Sequence, residues 1–256
     1  HRPPPDPVGR LWSGPRSRFI ADPWRPFAAN AIRDDEPVVI LGSGLTAIDV
    51  LLTLSASRRS APVTLISRRG LSPQAHAASP GAPADLHALA QELTARGEGV
   101  RVVDICRHIR KITRELMAAG GDWRAVMDGL RPHTATLWRA LPPNERKRFL
   151  KHLRPYWEVH RHRMAPDVAQ RLHDLRRCNA VRFLAGSVAS AHADDDCVRL
   201  YVRERGDDRL VELRTAWVIN CTGPAASNSA ESNPVIGSLL VHGWIQPDDL
   251  SLGLIT

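Results

Sequence analysis

A chain of 256 residues can form one large domain or two smaller ones, and 43% apolar with 24% charged side chains is an ordinary balance for a soluble globular protein. No apolar run is long enough to span a bilayer and no signal-peptide pattern is present, so no membrane partner is expected. The net charge of +8 raises nucleic acid as a partner, but the basic excess is spread through Arg-rich helical stretches without interleaved stacking aromatics. No nucleic acid is expected, and a phosphate-bearing cofactor is the simpler explanation.

The chain starts at His1, not Met, and stops in apolar sequence at Leu252-Gly253-Leu254-Ile255-Thr256, so a fragment of a longer protein is expected. Its four cysteines, Cys106, Cys178, Cys197 and Cys221, include no C-x-x-C pair. That spacing argues against a zinc ribbon or a redox pair, and a reduced, cytoplasmic setting follows. No metal site is expected.

In chain order, residues 1–33 read as a Pro-rich linker and an extended segment, anchored by Phe19 and Trp24. Asp34-Asp35-Glu36-Pro37 is a polar turn into the first core strand, and residues 34–83 read as the first βαβ of a nucleotide-binding domain. Val38-Val39-Ile40-Leu41 predicts a strand buried on both faces of a parallel sheet. Gly42-Ser43-Gly44-Leu45-Thr46-Ala47 follows, which is G-x-G-x-x-A between a strand and a helix running from about Leu45 to Ala56. Gly42 permits the turn, Gly44 lets a pyrophosphate approach the backbone, and Ala47 lets helix and strand pack closely. Gly42, Ser43, Gly44, Leu45, Thr46 and Ala47 are therefore the cofactor-binding candidates, with phosphates on free N–H groups at the positive end of the helix dipole. Asp49, in that helix, reads on general grounds as an exposed carboxylate.

The second strand, Val63-Thr64-Leu65-Ile66-Ser67, ends in Ser67-Arg68-Arg69, where an NAD or FAD site usually places Asp or Glu. Two guanidinium groups suit a phosphate, so Ser67, Arg68 and Arg69 point to the 2′-phosphate of NADP, with NAD possible. The alternative is a pair of exposed arginines. The missing acid also argues against a SAM-dependent methyltransferase.

Gly70 to Pro83 reads as a loop. Residues 84–178 read as a helical insert: Leu86, Leu89, Ala90 and Leu93, then Ile105, Ile109, Ile112 and Leu116, then Trp123–Leu130, Thr134–Leu141, Asn144–Leu153 and Ala165–Leu175. Pro142-Pro143-Asn144-Glu145 looks like a helix start, with Asn144 or the acid facing the N-terminus. His160-Arg161-His162 beside Tyr156-Trp157 has no third ligand for a metal. Residues 179–256 read as a β-meander, Val181–Val188, Cys197–Val202 and Arg209–Leu213, followed by a return strand ending Cys221-Thr222-Gly223-Pro224. Cys221 reads as a buried, inert thiol. The fold class is α/β, a Rossmann-like parallel sheet with an antiparallel β-meander and a large inserted helical subdomain.

This pattern resembles the pyridine-nucleotide domain of two-dinucleotide-binding flavoprotein oxidoreductases. The stretches 39–49, 66–76, Gly121-Asp122-Trp123-Arg124 and 160–166 are similar to the bacterial FAD/NAD(P)-binding proteins of the YdhS-like group. The resemblance implies that Thr222 and Gly223 lie near the meeting of two cofactor domains, that Asp49 has a structural or cofactor-adjacent role, and that His160, Arg161 or Arg163 faces substrate, the alternative for these three being helix packing and capping. It also implies FAD, expected only in a full-length protein. Two functions follow: the NADP(H)-binding part of an FAD-dependent oxidoreductase, passing hydride between NADPH and flavin, or a non-catalytic nucleotide-binding or sensing module whose helical insert recognises a partner. No catalytic residue is identified, and the small-molecule substrate is not indicated.

Overall fold

The computed structural model describes residues 6–25, 32–57, 59–79, 81–207, 209–223, 233–250 and 252–255. The Pro-rich start of the linker, residues 1–5, lies outside the described residues, as does Pro224. The chain divides into two units, one of residues 1–71 with 172–256 and one of residues 72–171.

The α/β unit opens with two short strands, β1 (Trp12–Ser13) and β2 (Phe19–Ile20). Its nucleus is β3 (Val38–Leu41), α1 (Leu45–Leu54) and β4 (Val63–Ser67). All four β3 side chains are buried, as expected of a strand covered on both faces. The helix ends two residues before the expected Ala56. After the helical unit the chain returns in β5 (Val181–Ala193), β6 (Val198–Glu204), β7 (Leu210–Thr215) and β8 (Trp217–Asn220). The strand order is β2-β8-β3-β4-β5-β6-β7, with β1 also pairing β5. Pairing is parallel from β2 through β5 and antiparallel from β5 to β7.

The expected antiparallel meander is present as β5–β6–β7, and its first strand does more than that. β5 is one long strand whose first part, Val181–Ala185, runs parallel to β4, and whose second part, from Gly186, runs antiparallel to β6. Gly186 sits at the changeover, where an added Cβ would come within 2.6 Å of the Arg203 carbonyl oxygen. The segment read as a linker also contributes to the sheet, because Phe19 and Ile20 pair with Val218 and Ile219 on β8.

One residue holds that edge together. Glu36, read as part of a polar turn, is buried. Its carboxylate accepts from the Trp217 indole at 2.9 Å, the Arg33 N–H at 2.9 Å and Arg18 Nη1 at 3.2 Å. Burial alone would raise its pKa, but the Arg33 N–H, the indole and the charge on Arg33 outweigh that and hold it below the usual value.

The helical unit contains α2 (His87–Ala95), α3 (Val102–Ala118), α4 (Trp123–Leu130), α5 (Thr134–Ala140), α6 (Pro143–His152) and α7 (Arg154–Arg161). Helix α8 (Pro166–Arg177) carries the boundary between units at Leu172. Leu86, Leu93, Val126, Leu130 and Leu137 form the core here, and Ile105, Ile109, Ile112 and Leu116 of α3 pack half-buried against it. Helix α7 was not expected from sequence, since its apolar residues are few and Pro155 opens it. Glu145 does not face its own helix start. Its buried carboxylate accepts the Val102 N–H at 2.8 Å and so caps α3. At the far end of the chain lie α9 (Pro234–Val241) and an antiparallel pair, β9 (Gln246–Pro247) and β10 (Leu254–Ile255).

Candidate functional site

The register of the parallel strands brings one set of chain reversals together. Leu41 pairs with Ile66 and with Asn220, so the residues after β3, β4 and β8 emerge along one edge of the sheet. Open α/β sheets bind ligands at the carboxyl ends of their strands.

At the centre of that edge Gly42 has φ +109°, outside the range of ordinary side chains. A Cβ there would stand 2.4 Å from the Cys221 carbonyl oxygen, so both backbone angle and close approach demand glycine. Its N–H donates to Ile66 O at 2.8 Å. Gly44, the N-cap of α1, has an ordinary φ of −78°, and a Cβ there would meet nothing within 4 Å. Its glycine leaves open space in front of the helix. Among the described residues no side chain caps α1, and its first turn holds no acidic residue. The first-turn N–H groups and the positive end of the dipole are the kind of place where an anion can sit. Ala47 is fully buried, as close packing of α1 on the sheet requires; Leu45 is exposed and Thr46 half-buried. Asp49 is exposed on the same helix.

Beside this cradle, Ser67 ends β4 and the chain turns through Arg68, which is exposed, and Arg69, which is half-buried. Arg68 makes no ion pair among the described residues. Ser67 does not face outward with them: its Oγ lies 2.8 Å from Ser43 Oγ and 3.1 Å from the Gly70 N–H.

Past β8, Thr222 is exposed and Gly223 has φ +88°. Asn220, buried and absent from the sequence-based candidates, organises this corner. Its Oδ1 accepts the Thr222 N–H at 3.2 Å and the Thr222 hydroxyl at 2.7 Å, an Asx turn, while Nδ2 donates to Ala21 O at 3.3 Å. An Asn closing an apolar strand was the available signal. The Cys221 thiol is buried and pushed up to about 12, first by burial and then by the charge of Asp49.

In the helical unit, three of the family-like stretches converge on Trp123. The Arg124 guanidinium lies 4.6 Å from the indole centroid and that of Arg163 lies 5.8 Å away, while the His160 ring meets it edge-on at 5.0 Å. Arg124 also donates to Ala75 O at 2.7 Å and to both Asp122 oxygens. The backbone of Gln74-Ala75-His76 bonds to Val159 and Met164. Arg163 is buried in an ion pair with Asp128, and its Nε has no partner among the described residues. His160 Nδ1 lies 2.7 Å from Tyr156 O, to which it donates, so His160 and Arg163 are both engaged in packing this node. Arg161 is exposed. Among the described residues no group of three His, Cys, Asp or Glu side chains could hold a metal ion, and no helix is long and apolar enough to cross a membrane.

The glycine turn, parallel register and strand-end edge define a Rossmann-like α/β fold. No protein-family model and no curated protein sequence matches the chain. Among solved structures, L-lysine 6-monooxygenase from Pseudomonas syringae shares the fold with a TM-score of 0.56 at 15% identity, covering 98% of this chain and 49% of that one. The FAD-bound cadaverine monooxygenase DfoA of the desferrioxamine pathway, from Erwinia amylovora, gives 0.55 at 14% identity, covering 98% and 47%. The chain thus spans about half the length of these structures, and the likeness is one of fold.

Proposed function

We propose that the α/β unit binds NADP(H) and is the pyridine-nucleotide part of an FAD-dependent oxidoreductase. The observation that carries this reading is the uncapped start of α1, reached through Gly42 and the open space at Gly44, beside the Arg68–Arg69 turn. The residues fit the group. Backbone N–H groups of Ser43 to Ala47 would hold the pyrophosphate, and Arg68 and Arg69 would take the 2′-phosphate in place of the acid that binds a bare ribose. Thr222 and Gly223 close the cradle on the β8 side.

NADPH supplies a hydride and a flavin accepts it, so this chain's share is to bind, orient and exclude water rather than to supply an acid or base. The carboxylate-free first turn of α1 serves that share, since an acid there would repel phosphate. Sequence beyond these 256 residues would hold the flavin in this reading.

The test is titration with NADPH and NADH. NADPH should bind more tightly, and replacing Arg68 and Arg69 together by Ala should weaken it by about 1.5–3 kcal/mol, ten- to a hundredfold, with NADH nearly unchanged. The loss should shrink with salt, because an exposed ion contact is screened. Equal affinity for the two cofactors would sink the NADP assignment.

A further inference from the structure

Ser43 and Ser67 form a continuous hydrogen-bonded chain across the proposed site. Ser43 Oγ lies 2.5 Å from Leu71 O and 2.8 Å from Ser67 Oγ, and Ser67 Oγ in turn lies 3.1 Å from the Gly70 N–H. Proton count orders the chain. A carbonyl only accepts, so Ser43 spends its one proton on Leu71 O. Ser67 then donates to Ser43 Oγ and accepts from Gly70 N–H. Ser67 has no proton left for a phosphate on its outer side.

What the chain joins is informative. Ser43 belongs to the glycine turn, whereas Ser67, Gly70 and Leu71 begin and end the turn that presents Arg68 and Arg69. That turn is pinned further by Gly70 N–H to Ser67 O at 3.3 Å and by Gly70 itself, at φ +63°, where a Cβ would stand 3.0 Å from Ala185 Cβ on β5. The two anion-binding elements, helix start and arginine turn, are therefore held at a fixed separation by two hydroxyls.

We propose that Ser43 and Ser67 are positioning residues which set the selectivity for a 2′-phosphorylated dinucleotide by fixing the Arg68–Arg69 turn against the glycine turn. This rests on the NADP(H) reading above and refines it: Ser67 acts through the turn and does not touch the cofactor. A flexible arginine pair must be ordered on binding, and a turn fixed beforehand removes part of that entropic cost. The benefit reaches only a ligand that carries the 2′-phosphate.

The experiment measures NADPH and NADH affinities of the full chain for wild type, Ser67→Ala, Ser43→Ala, the double variant and Ser67→Thr, each checked by thermal unfolding. Each Ala variant should lose about three- to tenfold in NADPH affinity, the scale of one hydrogen bond, and under about twofold for NADH. The double variant should lose no more than the larger single, because the two hydroxyls act as one chain. Ser67→Thr, which keeps the hydroxyl, should retain selectivity, and adding Arg68→Ala with Arg69→Ala to Ser67→Ala should cost less than in wild type. Unchanged selectivity in both Ala variants, or equal loss of NADPH and NADH, overturns the inference. If wild type itself shows no Arg-dependent preference for NADPH, the cofactor reading has failed instead. Should Ser67→Ala not fold, Ser43→Ala breaks the same chain from its other end and decides the matter alone.

Discussion

In the α/β unit, the proposed cradle is built chiefly of backbone: the first N–H groups of α1 and the turn at Gly42, against which the Cys221 carbonyl packs. In the helical unit, the organised centre is made of side chains, with Arg124, Arg163 and His160 arranged around Trp123. Charge divides them too. Residues 72–171 hold 17 of the 35 Lys and Arg but only 10 of the 27 Asp and Glu, so the helical unit accounts for +7 of the net +8. Part of this lies on α3, where Arg107, Arg110 and Arg114 line one recess with Thr113. Outside the serine-pinned Arg68–Arg69 turn, a cradle made of backbone should tolerate changes of side-chain chemistry but not of backbone shape, whereas a side-chain node should behave in the opposite way.

The sharpest break of that contrast is Gly42→Ala. It would force a φ of +109° on an L-residue and press a Cβ to 2.4 Å from a carbonyl oxygen that the sheet cannot move. A loss of about 3 kcal/mol or more is expected, read by denaturant unfolding. Gly44→Ala is the control. With ordinary φ and nothing within 4 Å, it should leave stability within about 1 kcal/mol while reducing nucleotide affinity, because the space it fills is the ligand's. Equal destabilisation by both would refute the separate roles given to the two glycines.

The next effect lies in the helical unit. Arg163→Met removes the buried partner of Asp128, whose side chain is 30% exposed and so partly relieved by water. About 2–3 kcal/mol should be lost, below the figure for a fully buried pair, with a change in the near-ultraviolet signal of Trp123. Asp128→Asn in the same background should recover part of it. A stability change within error would mean that the node does not organise this unit.

These two regions were unequally legible in sequence. Val38–Leu41, Gly42, Gly44 and Ala47 could be read because a doubly covered strand and a tight turn impose residue types at fixed spacing. The helices of residues 87–177 were largely visible through apolar periodicity, α7 excepted. Hidden were the pairings made by residues far apart: Phe19 and Ile20 on β8, Glu36 with Trp217, and Arg163 with Asp128. Periodicity reports which face of an element is covered, not which element covers it, and so the parallel pairing of β5 with β4 and β1 also stayed hidden, although its antiparallel pairing with β6 was legible. Ser67 was read as a ligand group, since nothing in its spacing reveals that its hydroxyl turns inward to Ser43.

Glu36 is a side chain on which the stability of the α/β unit depends, and pH exposes it. Its folded pKa lies below the ordinary glutamate value, so its contribution is complete above that value and disappears as pH falls through the folded one. Glu36→Gln should cost about 1–2 kcal/mol at pH 7. The gap from wild type should close as pH drops below about 4.3, where the unfolded carboxyl takes up its proton. A gap that stayed constant down to acid denaturation would show that the charge on Glu36 contributes nothing.

The smallest expected effect concerns Cys221, which meets the proposed site only through its backbone. Its N–H donates to Leu41 O at 2.8 Å and its carbonyl packs on Gly42, while the thiol is buried. Burial, helped by the Asp49 carboxylate, pushes that thiol up to about 12, so at pH 8 it stays protonated and unreactive. Iodoacetamide at pH 8 should therefore label the exposed Cys178 of the native chain and leave Cys221 unlabelled until the protein unfolds. Cys221→Ala keeps the carbonyl and removes only the sulfur, so it should lower stability by about 1 kcal/mol and leave NADPH affinity unchanged. A large loss of nucleotide binding in that variant would show that a side chain, not the strand-end backbone, completes the cradle, and the contrast between the two units would no longer hold.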